Sequence, residues 1–300
     1  MPTIVLAYLT CAMVWGTTWY AVRASTGADG FPTLESVALR FTIATVVLAP
    51  IIAIARTGPW PRDRATWLWM LAAGVLDAAS YTLVYYGEQR IPGGLAAVLF
   101  STQPLMVAAM LSASGMEEVR RADVVGALVA LAGVVLIGAE RWDVSTSQAI
   151  GLGLLLGAVV CSASYSLVLK RHGEHVHPAV TTLIFLAVTA ATLDLAVLVR
   201  GPQPIPWPPP RDATIAVLYL AVFGSVIAFW SWLWLLKKLP LMATSTLVFV
   251  LPVVALVVDG FWEHELRLAP RTYAGIAVVL VGLAIALLTR SARATRRRRG

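Results

Sequence analysis

The sequence is divided into apolar runs of about twenty residues, each the length a helix needs to cross ~30 Å of hydrocarbon. Ten such spans are predicted, at 3–22, 34–55, 66–86, 93–113, 122–139, 149–169, 179–199, 213–236, 241–260 and 271–289. Inside lipid every backbone amide and carbonyl must be bonded within the protein, which leaves helices or a closed barrel. The runs are continuously apolar rather than alternating, so they read as helices and exclude a barrel. Composition agrees: 59% of residues are hydrophobic and 13% charged, against about a quarter charged in soluble domains. Gly58-Pro59-Trp60-Pro61 and Pro202 to Pro210 separate runs where the backbone lacks donors or is loosened. Cys11 and Cys161 fall inside apolar runs and read as packing residues, not as a redox pair.

A net charge of +7 raises the question of nucleic acid. Six of the arginines, however, lie between Arg290 and Arg299, which reads as a basic cytoplasmic tail over 291–300, and no nucleic-acid partner is expected. With ten spans both termini share one side. Placing them in the cytoplasm also puts Arg56, Arg62, Arg64, Arg120, Arg121, Lys170, Arg171, Lys237 and Lys238 there. That is the asymmetry of the positive-inside rule. The expected location is a plasma, bacterial inner, membrane. No leader cleavage pattern follows the first apolar run, which is therefore taken as an uncleaved span.

The two halves repeat at an offset of 148 residues, with Pro92, Pro104 and Glu117 matching Pro240, Pro252 and Glu265. Gly126 and Gly133 match Gly275 and Gly282 at an offset of 149. Each half holds an odd number of spans, so the second copy must run upside down relative to the first, the inverted-repeat plan of secondary transporters. The fold class is therefore an all-α integral membrane protein of ten transmembrane helices in two inverted five-helix repeats, 1–140 and 148–290.

The stretches Trp15 to Arg23 (WGTTWYAVR), Leu39-Arg40-Phe41, Phe100 to Leu111 (FSTQPLMVAAML) with Glu117, and Phe249 to Val258 (FVLPVVALVV) with Glu265 resemble the EamA family of the drug/metabolite transporter superfamily. The resemblance spans essentially the whole chain. It implies a ten-helix bundle with a central cavity lined mainly by helices 1, 3, 4, 6, 8 and 9, moving small metabolites by alternating access. Amino-acid and metabolite export are its commonest activities. The family pattern is broken where Ala163-Ser164 stands opposite Trp15-Gly16.

Among individual residues, Asp77 stands mid-span, where an unpaired carboxylate costs at least a few kcal/mol. Arg40 lies about six residues into the second span and is suited to pair with a carboxylate, to snorkel, or to hold a substrate carboxylate bidentately. Both are candidates for substrate or proton binding as well as for structure. Tyr81 and Tyr85 continue from Asp77 toward Glu88 at helical spacing, giving the third helix one polar-aromatic face whose phenols are candidate substrate contacts or a helix-packing surface. Gln103, just before Pro104, is a candidate substrate contact, and Pro104 with its match Pro252 is a candidate hinge or kink. Trp15 with Trp19, and Trp230 with Trp234, form deep aromatic stripes, Trp232 is equally deep, and Tyr165 with Ser164 is the counterpart on the sixth helix; each is a candidate substrate contact or a packing residue. Glu117 and Glu265 are each expected to cap or orient the helix that follows, and Gly153 with Gly157 to let helices approach closely. His172, His175 and His177 lack the carboxylate or cysteine partners of a metal site, so no metal and no cofactor is expected.

No phosphate-binding loop of the GxxxxGK pattern occurs, which disfavours ATP as the energy source. A secondary carrier for a small-molecule substrate is the resulting reading, with protons as a candidate coupling ion and either a monomer or a homodimer allowed. Export of amino acids is what the resemblance implies; efflux of lipophilic cations is the alternative. A membrane enzyme acting on lipid or isoprenoid head groups would need more converging acids and histidines than Arg40 and Asp77 provide, so no enzymatic activity is expected.

Overall fold

A computed structural model describes residues 2–26, 30–91, 96, 99–138, 145–254, 274–275 and 277–285, and over these it is helical with connecting turns. Pro92, Glu265, the ends of the two expected repeats at 140 and 290, and the basic tail 291–300 lie outside the described residues. Among the described residues, six helices are long and apolar enough to cross a bilayer: α1 (Pro2–Thr26), α2 (Thr33–Ile54), α3 (Arg64–Glu88), α6 (Thr146–His172), α7 (Pro178–Arg200) and α8 (Arg211–Lys238). Between and after them run α4 (Gln103–Ser114), α5 (Arg121–Gly138), α9 (Leu241–Val254) and the helical residues 274–275 and 277–285, here α10. The chain is a multi-pass membrane protein.

Its outer face is apolar: Leu6, Val46, Leu195 and Leu198 are each more than half exposed, which suits lipid and not water. Hydroxyls on the spans are silenced locally. Thr45, Thr82 and Thr192 each donate to the carbonyl four residues back, so these hydroxyls do not face hydrocarbon unbonded. Helices α2 and α3 pack against α7 and α6, one element from each half of the sequence in each pair. Lipid offers no hydrophobic drive between helices, so close backbone approach has to hold such pairs. At the α3–α6 crossing a Cβ on Gly151 would lie 3.2 Å from the Gly87 carbonyl, and Ser80 donates across to the Ala158 carbonyl at 2.9 Å. The expected packing glycine Gly153 has nothing within 4 Å of its Cβ position, and Gly157 meets only Leu83; the small residues that seat this crossing are Gly87 and Gly151.

The matched glycines meet one another. A Cβ on Gly133 of α5 would lie 2.7 Å from the Gly275 carbonyl, and one on Gly282 of α10 would lie 2.6 Å from the Gly126 carbonyl. The contact is reciprocal: each partner of the first pair is replaced by its repeat equivalent in the second. Two helices are also broken at matched places. The expected continuous span 93–113 turns at Ser101-Thr102 before α4 restarts with Pro104 in its first turn. In α9 a 3₁₀ stretch, Thr246–Phe249, and a turn at Val250 precede Pro252. Proline lacks the amide hydrogen, which costs nothing in a first turn where that donor has no intrahelical partner.

The connecting segments cap what they join. Asp63 accepts the Thr66 amide at 2.7 Å as the N-cap of α3, and bonds from the Thr66 hydroxyl and amide hold its carboxyl below the usual carboxylate range. His177 accepts the Ala179 amide at the start of α7, with burial and the nearby Lys237 keeping its pKa low, and His172 stacks on Trp69. Glu117 does not cap the helix that follows it. Its carboxylate accepts the Leu241 amide at 2.7 Å, holding the first turn of α9 in the other half of the sequence.

Candidate functional site

Where α1, α3, α4, α6, α8 and α9 converge they enclose a cavity of about 100 Å³. These are the helices that the resemblance implies for a central cavity. The volume falls below the roughly 300–1,000 Å³ of most small-molecule pockets, so this conformation has room only for a small solute. Trp15, Thr18 and Trp19 line it from α1, Ser80, Tyr81, Val84 and Glu88 from α3, and Gln103 and Val107 from α4. Ser162, Tyr165 and Ser166 line it from α6, Trp232 from α8, and Thr244, Ser245, Leu247 and Leu251 from α9. Phe100, just before the break that leads into α4, closes the wall.

Two environments share this space. One is polar: the Gln103 amide donates to Ser162 Oγ at 2.9 Å, and Ser162 donates to the Tyr165 hydroxyl at 3.1 Å, a chain joining α4 to α6. The other is aromatic. Trp15 lies against Phe229 at 5.4 Å and Trp232 at 6.2 Å, and Trp232 meets Tyr165 edge-on at 5.9 Å. Such edge-to-face pairs fix ring orientations beyond what area burial alone does.

Behind the aromatic wall sits a buried charge. Arg40 of α2 is fully buried; its Nε donates to Ser225 Oγ at 2.9 Å and a terminal nitrogen to the Gly224 carbonyl at 3.3 Å, while its guanidinium lies 4.6 Å from the Tyr81 ring centre. The Trp15 indole also donates to the Gly224 carbonyl, at 3.1 Å. Gly224 and Ser225 belong to a π-helical stretch of α8, Leu220–Ile227, whose wider turns aim carbonyls away from the regular ladder. Asp77 is also fully buried and makes no ion pair with Arg40. Its Oδ2 lies 3.0 Å from the Thr189 hydroxyl, and its Oδ1 has no hydrogen-bond partner. That hydroxyl also lies 2.9 Å from the Phe185 carbonyl and 3.2 Å from the Gly74 carbonyl, so one proton serves three acceptors. A protonated Asp77 would supply the missing hydrogen.

Of the residues singled out from the sequence, Trp15, Tyr81, Gln103 and Tyr165 line the cavity together. Arg40, Asp77 and Tyr85 lie outside its lining, and so do Pro104 and Pro252, which flank the helix breaks. Trp230 and Trp234 are half-buried and do not reach the cavity; Trp232 between them does. Glu88 belongs to the polar face of α3 that helical spacing marked, whereas Ser80, Ser162 and the hydroxyl residues of α9 are lining residues that spacing did not mark as contacts. Their common signal is a small polar side chain inside an apolar span, too frequent in membrane helices to single any one out.

Residues 2–139 and 149–288 each match the EamA-like transporter family. The chain is 26% identical to "Uncharacterized transporter YetK" of Bacillus subtilis, over 87% of this chain and 80% of that one. It is 27% identical to "Uncharacterized inner membrane transporter YedA" of Escherichia coli, over 81% and 77%. It is also 27% identical to "Probable terminal-alkyne amino-acid exporter" of Streptantibioticus cattleyicolor, over 93% and 91%. A crystal structure 22% identical in sequence superposes with a TM-score of 0.77, covering 96% of this chain and 98% of that one, and shares its fold. Two consecutive matches to one family, on a chain whose spans gather around one cavity, make this a membrane transporter: the chain belongs to the EamA-like transporter family.

Proposed function

We propose that the protein is a ten-span secondary transporter of two inverted five-helix repeats, 1–140 and 148–290, with both termini and the tail 291–300 in the cytoplasm. It exports small metabolites such as amino acids by alternating access around the central cavity. The observation that carries the reading is the cavity itself, whose walls come equally from α1, α3 and α4 and from α6, α8 and α9. A site between two repeats can open to either side as they exchange conformations. The reciprocal glycine contacts of α5 and α10, and the matched breaks in α4 and α9, support the repeat. The amino-acid class rests on the exporter relative and on the cavity's mixture of an aromatic wall with a short hydroxyl–amide chain.

Asp77 carries proton coupling in this scheme, because its Thr189 contact accommodates a protonated carboxyl. The test is counterflow in proteoliposomes with labelled amino acids at two external pH values, wild type beside Asp77→Asn. Saturable exchange by the wild type is expected, with its pH dependence flattened in the variant. Exchange that keeps its pH dependence in Asp77→Asn removes the carboxylate from coupling. No saturable exchange of any amino acid by folded protein removes the substrate class. The aromatic wall equally suits lipophilic cations, which belong in the same panel.

A further inference from the structure

Of the buried polar side-chain atoms on residues lining the cavity, those without a hydrogen-bond partner are the two carboxylate oxygens of Glu88 and the Trp19 indole N–H. Neighbouring polar groups of the lining are answered: Gln103, Ser162 and Tyr165 bond one another, and Thr244 and Ser245 donate to carbonyls of their own helix at 2.9 Å. Glu88 is 9% exposed and Trp19 8%. A carboxylate offers about four acceptor sites, and each one buried empty carries a desolvation penalty. The cations whose fields reach Glu88 are Arg23 and Arg40, and neither donates to its oxygens. Their charge opposes the burial penalty of the anion only in part and leaves its lone pairs unfilled.

We infer that Glu88 receives a primary ammonium group of the transported solute. An ammonium brings three N–H donors to acceptors that have none, whereas a quaternary nitrogen brings no donor and a carboxylate would face like charge. The Trp19 and Phe100 rings, 5.6 Å apart, stand on the same cavity wall and suit the carbon chain next to the nitrogen. The unanswered Trp19 N–H offers a donor to an acceptor elsewhere on the solute. The Glu88 oxygens expose almost no surface in this conformation, so a donating solute reaches them as the cavity rearranges around it. This inference rests on reading the cavity as the transport site.

The test uses four matched probes with the full chain in lipid nanodiscs: norvaline, n-butylamine, which lacks its carboxylate, pentanoate, which lacks its ammonium, and n-butanol, which lacks both charges. Calorimetric titration is expected to give norvaline and n-butylamine dissociation constants at least about tenfold below those of pentanoate and n-butanol, a ~1.4 kcal/mol preference. Glu88→Gln is expected to bring all four within about twofold of each other, and Glu88→Asp to keep part of the preference. The wild-type comparison stands alone should the Gln variant fail to fold. Norvaline binding above n-butylamine makes the ligand an amino acid, and the reverse order makes it a simple amine; both keep the ammonium site. Pentanoate or n-butanol binding as tightly as n-butylamine overturns it, as does an undiminished preference in folded Glu88→Gln, binding of none of the four, or displacement of n-butylamine by sodium but not by choline chloride. Counterflow separates the two readings. Exchange of some other solute without amine preference sinks the ammonium site and leaves transport, whereas amine-selective binding without exchange of anything sinks transport and leaves the site.

Discussion

At Arg40 the donors of one guanidinium are divided between Ser225 Oγ and the Gly224 carbonyl, groups that lie more than 180 residues away in the chain. Lysine carries its donors on one point-like nitrogen and lacks the planar fork that sets Nε and a terminal nitrogen separately against these two acceptors. Arg40→Lys is therefore expected to destabilise the protein by roughly 2–3 kcal/mol, the scale of a lost hydrogen bond to a charged group, read as a lower thermal midpoint in nanodiscs. A midpoint unchanged within a degree would mean that the fork contributes nothing. Charge inside an apolar run made Arg40 and Asp77 visible from the sequence alone. Their partners were not visible: a serine hydroxyl, a glycine carbonyl and the Thr189 hydroxyl carry no pattern, and proximity across the fold is not encoded locally. Glu88 was legible as part of the polar face of α3. It fell at a predicted span end, however, where water is the ordinary partner, and only the cavity shows it to be dry.

Helix positions were the most legible feature, because hydrophobic length is set by bilayer thickness; α2, α3, α6, α7 and α8 each lie within a few residues of their predicted spans. Interruptions and facing were less so. Pro104 and Pro252 marked disturbed helices, yet the turns fall just before them, at Ser101-Thr102 and at Val250, with each proline in or beside the restarting helix. In α8 the π-helical turns shift the register of the residues C-terminal to them. Helical spacing alone pairs Trp230 with Trp234 but cannot say that Trp232 is the residue turned to the cavity. Glycine spacing was similarly ambiguous, and the structure turns it into a comparison. Gly282→Ala places a methyl 2.4 Å from the Ala130 nitrogen, a backbone atom that cannot step aside, whereas Gly153→Ala meets nothing within 4 Å. The first is expected to cost about 1–3 kcal/mol by overpacking, and the second to be neutral or slightly stabilising. Chemical denaturation of both variants side by side checks the contrast, and equal midpoints would refute it.

For the whole molecule, the proposed orientation puts His175, in the turn between α6 and α7, in the cytoplasm and Gln203, between α7 and α8, on the far side. In a background with Cys11 and Cys161 replaced, Gln203→Cys is expected to react with a membrane-impermeant maleimide in intact cells, and His175→Cys only after permeabilisation. The reverse pattern would invert the topology. The charge bias in the sequence made this side assignment possible, and the offset of 148 residues made the repeat possible. What no linear comparison shows is that Gly133 meets Gly275 while Gly282 meets Gly126. In the proposed inverted repeat, a contact that maps onto itself when the halves trade roles would contribute equally to the inward-open and outward-open states, so it would not bias the resting population toward either. That bias has to come from positions where the halves differ. Arg40 and Asp77 stand opposite Val188 and Ser225 in the repeat, and Arg40 reaches across to Ser225 itself. If the Arg40–Ser225 bond survives in only one of the two proposed states, a difference of ~2.7 kcal/mol would already leave the other state about one molecule in a hundred. The empty carrier would then wait mostly on one side of the membrane, with its direction of work set by an asymmetry of two residue pairs.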